Sequence, residues 1–509
     1  MSDSFIFEWP IKTLPQIIKT LLVRFEAGRH LYNACLKECL RRVDHVKESQ
    51  DWQKARKLPR SKERSRLFRE ALKKQQFSEY ALHTFSKDIA KSCFIGDHLD
   101  SQVIQKIATR AWSSADEYCK GKRGRPRYKS RGQFSSLEGK SNVTGIRFKN
   151  GKIIWNSLEL ELLYDPIDKD GVEAHALSCR TKYVRLVRRK KKDQELFFAQ
   201  LVQEGKPLIK KKHVIGKGKV VGLDLGPSTI AIVSHEKAKL DVFCSQLDRN
   251  QKKIKSLQNG LGRSRKAMNP DNYTEKGVPI KNSVWKFSKR YHQIRELLAR
   301  EYQIMAATRK SLHGRLSNEI LSYGTVIKAE KLSYRGWQRQ FGRSVSFRAP
   351  GKVIEILRRK AENAGGRFHE FSPYKTKLSQ LCHACNTTRK KALKDRFHVC
   401  NCGLGSIQRD LYSAYLAMYV NDDDCFDRSQ ASEAWASADP LLRQALSKYK
   451  EMAKGNQRVA CFGIFQRQSC LSVEARSTYS EVKNVVRGEN IPLESFEELS
   501  CFASRTPRL

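Results

Sequence analysis

The sequence predicts a multidomain α+β protein: a mostly helical N-terminal region, then a small antiparallel sheet or barrel, then an α/β unit interrupted by a cysteine-rich ribbon. Three observations predict it. Apolar residues recur at helical spacing from about residue 15 to 118, period-two alternation follows, and short apolar strands alternate with helices from about 219 onward. A chain of 509 residues exceeds one ordinary hydrophobic core, so several domains are expected.

The helical region rests on stretches such as IIKTLLVRF and REALKKQQF, with Lys and Arg between the apolar positions. Cys35 and Cys39, four apart on one helix, read as core. The segment KGKRGRPRYKSRGQ then marks a basic loop. GIRFKNGKIIWNSLELELL reads as a hairpin turning at Lys149 to Gly151, followed by strict alternation from Leu158 to Leu162. TKYVRLVRR and ELFFAQLV make two more strands around the charged turn RKKKDQ. Next come VVGLDLG, TIAIVS and DVFC, three short strands, and a basic helical stretch over about 246–319 broken near Met268 to Asn272. TVIKAE is a strand ending at Glu330, KVIEILRRKAENAG a helix stopped by Gly365 and Gly366, and RFHEFS a strand. SIQRDLYSAYLAMYV closes the unit as a helix, and residues 431–509 read as an accessory or weakly ordered tail.

Charge narrows the function classes. Lys and Arg number 98 against 53 Asp and Glu, a net +45, an excess that points to a polyanionic partner, nucleic acid ahead of a membrane surface. No run approaches the roughly 18 apolar residues of a membrane span. The N-terminal MSDSFIFEWP lacks a signal peptide's basic and apolar regions, so a cytoplasmic protein with mostly reduced cysteines is expected.

Strands, helix, strand and closing helix follow the order of an RNase H-like α/β fold, whose first strand lies at the sheet centre. Three acids fall where such a fold gathers them: Asp224 in the first strand, Glu330 at the end of TVIKAE, and Asp410 in the first turn of the closing helix. In-line phosphodiester hydrolysis needs charge stabilised on both the attacking and leaving oxygens. Two Mg2+ (or Mn2+) ions roughly 3.5–4 Å apart, held by hard carboxylate oxygens, supply it. Taken singly, each acid has a bland role: a paired charge, a strand end beside Lys331, a favourable anion near a helix N-terminus. VGLDLGPSTIAIVS would also suit the phosphate hairpin of sugar kinases, actin and heat-shock chaperones. No second Gly-rich hairpin or adenosine loop follows, and that alternative gives no reason for the charge.

LCHACNTTRKKALKDRFHVCNCG places Cys382, Cys385, Cys400 and Cys402 within 21 positions, the spacing of a zinc ribbon holding one structural Zn2+. The second pair is one residue short of the usual spacing, which leaves His398, and more distantly His383, as rival ligands. Arg389, Lys390, Lys391, Lys394 and Arg396 between the pairs suit phosphate contacts, a solvated basic face being the plain alternative.

GLDLG, IKAEKLSYRG and CHAC…CNCG followed by QRDLYSAYLA resemble the RuvC motifs and zinc ribbon of the TnpB family of transposon-encoded RNA-guided nucleases and the type V CRISPR effectors related to them. The resemblance spans roughly 5 to 420. It implies a wedge β-barrel over 1–18 and 119–218, interrupted by a helical recognition lobe over 19–118. A RuvC-like nuclease would follow over 219–380 and 404–430, with the ribbon, 381–403, binding target nucleic acid. Asp224, Glu330 and Asp410 would be the catalytic acids. Guide RNA and target double-stranded DNA would be the partners, with pairing reading sequence. Arg123, Arg125, Arg127, Lys129 and Arg131, and the basic turn at 188–192, are the further candidate nucleic-acid contacts. The family's Asn-Ala-Ala after the third acid is replaced by Leu411-Tyr412-Ser413-Ala414. A nuclease-silent RNA-guided repressor and a guide-free resolvase or transposase are the alternatives.

Overall fold

The computed structural model describes residues 3–191, 194–281, 283–392 and 395–453. The chain divides into two compact units, Met1–Lys210 and Lys211–Leu509.

The first unit starts with strand β1 (Ser4–Pro10) and the long helix α1 (Pro15–Glu48). Pro15 suits the first turn, where no N–H partner is needed. Leu21, Phe25, Leu31, Leu36, Cys39 and Val43 form its buried stripe. Gly28 lets the chain around Phe134 and Leu137 close on α1, for a Cβ there would stand 2.8 Å from Leu137 and 2.9 Å from Phe134. Ser49, Ser61, Ser78 and Asp100 then cap α2 (Gln50–Lys57), α3 (Lys62–Lys74), α4 (Glu79–Ser92) and α6 (Ser101–Cys119) by accepting from first-turn amides; the short α5 (Ile95–His98) lies between the last two. Strands β2 (Ser136–Glu138), β6 (Thr181–Lys191) and β7 (Gln194–Glu204) join β1 in an antiparallel sheet ordered β1-β7-β6-β2. Between β2 and β6 lie β3 (Arg147–Lys149), β4 (Lys152–Trp155), β5 (Leu158–Glu161) and helix α7 (Val172–Ser178), the strands forming a second antiparallel sheet. A bridge between Ile11 and Leu162 ties the two sheets. Buried Arg24 lies 4.3 Å over the Trp155 ring and donates to its carbonyl at 3.0 Å.

The second unit is built on a mixed sheet ordered β10-β9-β8-β11-β12. Strands β8 (Val220–Leu225), β9 (Thr229–Ser234) and β10 (Ala238–Val242) form an antiparallel meander. The third strand thus closes at Val242, earlier than DVFC suggests; Phe243 and Cys244 turn into the core. Helices α8 (Asp248–Met268) and α9 (Lys289–Tyr323) come next, then β11 (Val326–Glu330), parallel to β8. Helix α10 (Tyr334–Arg348), kinked at Phe341, was not foreseen: SYRGWQRQFGRS has two glycines and no apolar period. Helix α11 (Pro350–Asn363), β12 (Arg367–Phe371), the short α12 (Pro373–Thr376), the ribbon hairpin β13 (Phe397–His398) and β14 (Ile407–Gln408), and α13 (Arg409–Ala417) follow.

One sheet face, with Val221, Leu223, Leu225, Ile327 and Ala329, packs under α9 and α11. The other, with Ala231, Val233 and Leu240, packs under α13 and the final helices α14 (Arg428–Glu433) and α15 (Trp435–Ala453). The weakly ordered tail expected from 431 therefore starts too early. Ala431, Leu442, Ala445 and Tyr449 are buried in the same core as α13, while 454–509 lie outside the described residues. No described helix is long and apolar enough to cross a membrane.

Candidate carboxylate site and cysteine cluster

Strand alternation sets Asp224 on the face of β8 opposite Leu223 and Leu225, beneath α13. In the parallel ladder Gly222 is opposite Lys328 and Leu223 opposite Ala329, so Asp224 and Glu330 stand one step further along neighbouring strands, at their C-terminal ends. Helix α13 reaches them because Gly222 has no side chain: a Cβ there would lie 1.8 Å from the Ala414 carbonyl oxygen. Asp410, one turn before Ala414, is buried in the first turn of α13. Its Oδ1 lies 3.5 Å from Arg409 Nε, and its buried Oδ2 has no hydrogen-bond partner among the described residues.

The electrostatics report the crowding. Burial pushes the Asp224 carboxyl well above its ordinary range, the charges of Asp410 and Glu330 push it further, and Arg409 and Arg396 oppose them. Burial also raises Glu330. Three carboxylates bearing on one site, one oxygen orphaned, make a donor set suited to hard divalent cations.

Lys328 and Arg409 escaped the sequence argument, although a lysine inside the apolar strand VIKAE was a readable signal. Lys328 is buried on the Glu330 face of β11 and donates to the Met418 carbonyl at 2.8 Å, fastening the end of α13 to the strand. Arg409 is held by the carbonyl of Asp395 at 2.9 Å, and its own N–H donates to the Arg396 carbonyl at 2.9 Å. The ribbon thus brings Arg396 to bear on the acid site and holds the side chain of Arg409, which α13 itself supplies.

The four cysteines meet. Their Sγ atoms lie within 4.8 Å of one another, with Cys382–Cys402 at 3.6 Å and Cys385–Cys400 at 3.4 Å, and all four are free thiols. Among the described residues this is the single His/Cys/Asp/Glu group that tight; the carboxylates are spaced more widely. The four soft donors suit zinc. Hydrogen bonds from Thr387, then from Cys400, hold the Cys385 thiol down to about 6. The short second pair closes because the chain turns away at Gly403, with φ +83°, a conformation that favours glycine. His398 is not a member. It is buried on the Tyr412 ring, centroids 4.6 Å apart, with Nδ1 against Lys391 Nζ. Burial presses both His398 and His383 to about 4, leaving them neutral near pH 7.

The candidate phosphate contacts separate into two kinds. Arg127 and Arg131 are exposed and lack a carboxylate partner among the described residues, as do Arg389 and Lys390. Arg125 grips Asp44 with two 2.9 Å hydrogen bonds and Arg123 reaches Glu117 at 3.4 Å. The Lys129 backbone is bound by Asn33 and Arg29, its amine 5.9 Å from the Tyr32 ring. Lys391 turns inward to the Ser379 carbonyl and His398. In the 188–192 turn, Arg188 pairs with Glu195 and Arg189 with Glu8. Lys192 and Lys394 lie outside the described residues.

The stretch that holds the ribbon also decides what the chain is similar to. Residues 351–416 match the Cas12f1-like TNB domain. This TNB match takes in α11, β12, all four cysteines, Asp410 and Tyr412. No curated protein matches the chain. Among solved structures, a Cas12f1–sgRNA–target DNA complex is 12% identical with a TM-score of 0.39, covering 82% of this chain and 98% of that one. A CRISPR-Cas12f ternary complex is 13% identical, TM-score 0.30, covering 81% and 83%. A Cas12i–crRNA–dsDNA complex is 10% identical, TM-score 0.29, covering 83% and 65%. The family match thus falls on the stretch that carries the four cysteines and Asp410.

Proposed function

We propose that this protein is an RNA-guided DNA endonuclease of the compact TnpB-like and type V kind, cutting DNA at one RuvC-like carboxylate site. The observation that carries the proposal is Asp224: burial and the charges of Asp410 and Glu330 bear on the same carboxyl. A stable fold has little use for three acids crowded together unless cations complete them. The order β10-β9-β8-β11-β12 with α13 across β8 agrees with an RNase H-like nuclease. The match to a Cas12f1-like TNB domain, which reaches through Asp410, agrees with it too.

On this proposal Asp224, Glu330 and Asp410 hold two Mg2+ ions, and the four cysteines hold one Zn2+. Bound Mg2+ would supply Lewis-acid charge to the attacking and leaving oxygens of the phosphodiester. The residues' own tasks are separable. Asp224 must give up its proton to serve as a ligand. Arg409 and Arg396 offset the negative charge of the trio. Lys328 keeps α13 seated on β11. The antiparallel sheets of the first unit would be the wedge barrel, and α1 to α6 the recognition lobe. Guide RNA and target double-stranded DNA would be the partners, held by exposed cations such as Arg127, Arg131, Arg389 and Lys390.

The test is to purify the protein with RNA expressed from its own locus, sequence that RNA, and assay cleavage of the matching duplex with Mg2+. Asp224→Ala should abolish cleavage and leave duplex binding intact. Cleavage retained by the variant refutes the site assignment, and a wild-type protein that binds without cutting is the silent repressor.

A further inference from the structure

The family-pattern departure Leu411-Tyr412-Ser413-Ala414 puts a large aromatic into the motif that follows the third acid, and that residue is among the most enclosed in the second unit. Tyr412 is 1% exposed and His383 2%. The backbone N–H of His383 donates to the Tyr412 hydroxyl at 3.0 Å, and the same hydroxyl shares a second hydrogen bond with His383 Nδ1 at 2.7 Å. His383 stands between Cys382 and Cys385, so its backbone belongs to the first cysteine knuckle. From α14, Arg428 donates to the His383 carbonyl at 2.7 Å, and Trp435 lies 4.7 Å from the His383 ring. The knuckle is clasped from both sides.

We propose that Tyr412 is a positioning residue that latches the cysteine knuckle to the first turn of α13 and so makes the carboxylate site depend on a closed cysteine cluster. The proposal rests on the carboxylate assignment given above. Two residues apart on a helix, Asp410 and Tyr412 face opposite sides of one rigid turn. Asp410 meets the sheet and Tyr412 meets the ribbon, so a shift of the knuckle swings the same turn that aims Asp410. The ribbon is too short to hold itself by a core of its own. Opening the cysteine cluster frees His383 and with it the residue that holds the Tyr412 hydroxyl.

The experiment uses the full chain, zinc-loaded, with Mn2+ alone as probe and affinity read by electron paramagnetic resonance. Zinc content is measured in parallel. Tyr412→Phe should keep stoichiometric zinc and wild-type helicity while weakening Mn2+ binding about 10- to 100-fold, the range for residues that orient a metal ligand. Tyr415→Phe is the control. Tyr415 is equally buried on the same helix and its ring also meets the His383 ring, centroids 6.1 Å apart, but its hydroxyl donates to the Ala431 carbonyl, so a change that removes only the hydroxyl should leave Mn2+ affinity intact. Opening the cluster with Cys400→Ser should weaken Mn2+ binding in the wild type and add little on top of Tyr412→Phe, a non-additive cycle. Additive effects, or equal loss in Tyr415→Phe, would overturn the latch. So would unchanged Mn2+ affinity in Tyr412→Phe when Asp224→Asn and Asp410→Asn abolish it. If the two Asn variants bind Mn2+ normally, the carboxylate assignment itself fails and the latch with it. Should Tyr412→Phe not fold, Cys400→Ser alone decides: unchanged Mn2+ affinity after loss of zinc overturns the coupling.

Discussion

Gly222→Ala should silence the site without touching any carboxylate. The added Cβ would start 1.8 Å from the Ala414 carbonyl oxygen and 3.0 Å from the Met418 side chain. Real Cβ atoms stay beyond 3.0 Å from such neighbours, so strand and helix must part by about 1.2 Å, and the obstructing atom is backbone that no rotamer change can move. Overpacking of this sort costs about 1–3 kcal/mol of stability. The larger effect is geometric, because α13 carries Asp410 one turn away from the clash. A misplacement near 1 Å can cost on the order of 100-fold in rate. The assay is single-turnover cleavage at saturating Mg2+, with thermal unfolding alongside. The control is Gly262→Ala on α8, where a new Cβ meets nothing within 4 Å. That change should stabilise by about 0.5–1 kcal/mol and leave cleavage alone. Gly222→Ala cleaving at the wild-type rate would refute the placement of α13 over Asp224.

Because Asp224 is raised above its unfolded value, its ionisation opposes folding: the penalty is absent below the ordinary carboxylate range and fully present above the folded pKa. Metal-free protein should therefore melt higher as Asp224→Asn than as wild type at neutral pH, with the gap closing in acid or on adding Mg2+, and differential scanning fluorimetry across pH checks it. Replacing Cys382 and Cys385 together by Ser should release zinc and destabilise the second unit; unchanged zinc by elemental analysis would refute the cluster. Arg127→Ala with Arg131→Ala should leave stability within about 0.5 kcal/mol but flatten the salt dependence of nucleic-acid binding, by roughly one in log–log slope for each phosphate no longer neutralised. Arg125→Ala should behave the other way, losing up to about 1 kcal/mol of stability with its Asp44 pair and little salt slope.

The second unit was legible wherever side-chain type and chain geometry pull together. Val221, Leu223 and Leu225 alternate with Gly222 and Asp224, and that pattern alone sets the acid on the face opposite those three apolar side chains. The cysteine spacing likewise announced its cluster, though not that the left-handed turn at Gly403 would let Cys402 close it in place of His398. What stayed hidden depended on distant partners. Nothing in RGRPRYKSR tells Arg125, bound to Asp44 eighty-one positions away, from Arg127. Helix α15 escaped notice because Pro440 and a polar surround mask Leu442, Ala445 and Tyr449, whose burial depends on packing against distant elements such as α13 and β10.

The two charge features of the chain explain each other. A chain at +45 would attract a polyanion from any direction, yet on the proposed function the place where a phosphodiester would be cut presents three acids, and by itself would repel it. Arg409 and Arg396 offset part of that repulsion, but the Asp224 carboxyl remains pushed up in their presence. On the proposed function the balance would come from cations that the acids would hold. Metal occupancy would then decide the sign of the site, and the rest of the surface would serve to deliver the strand. Binding and cutting would then be separable: chelating Mg2+ should leave the nucleic acid held by the exposed arginines and lysines while stopping cleavage entirely. A protein whose nucleic-acid affinity collapsed on chelation would have its acids in the wrong role.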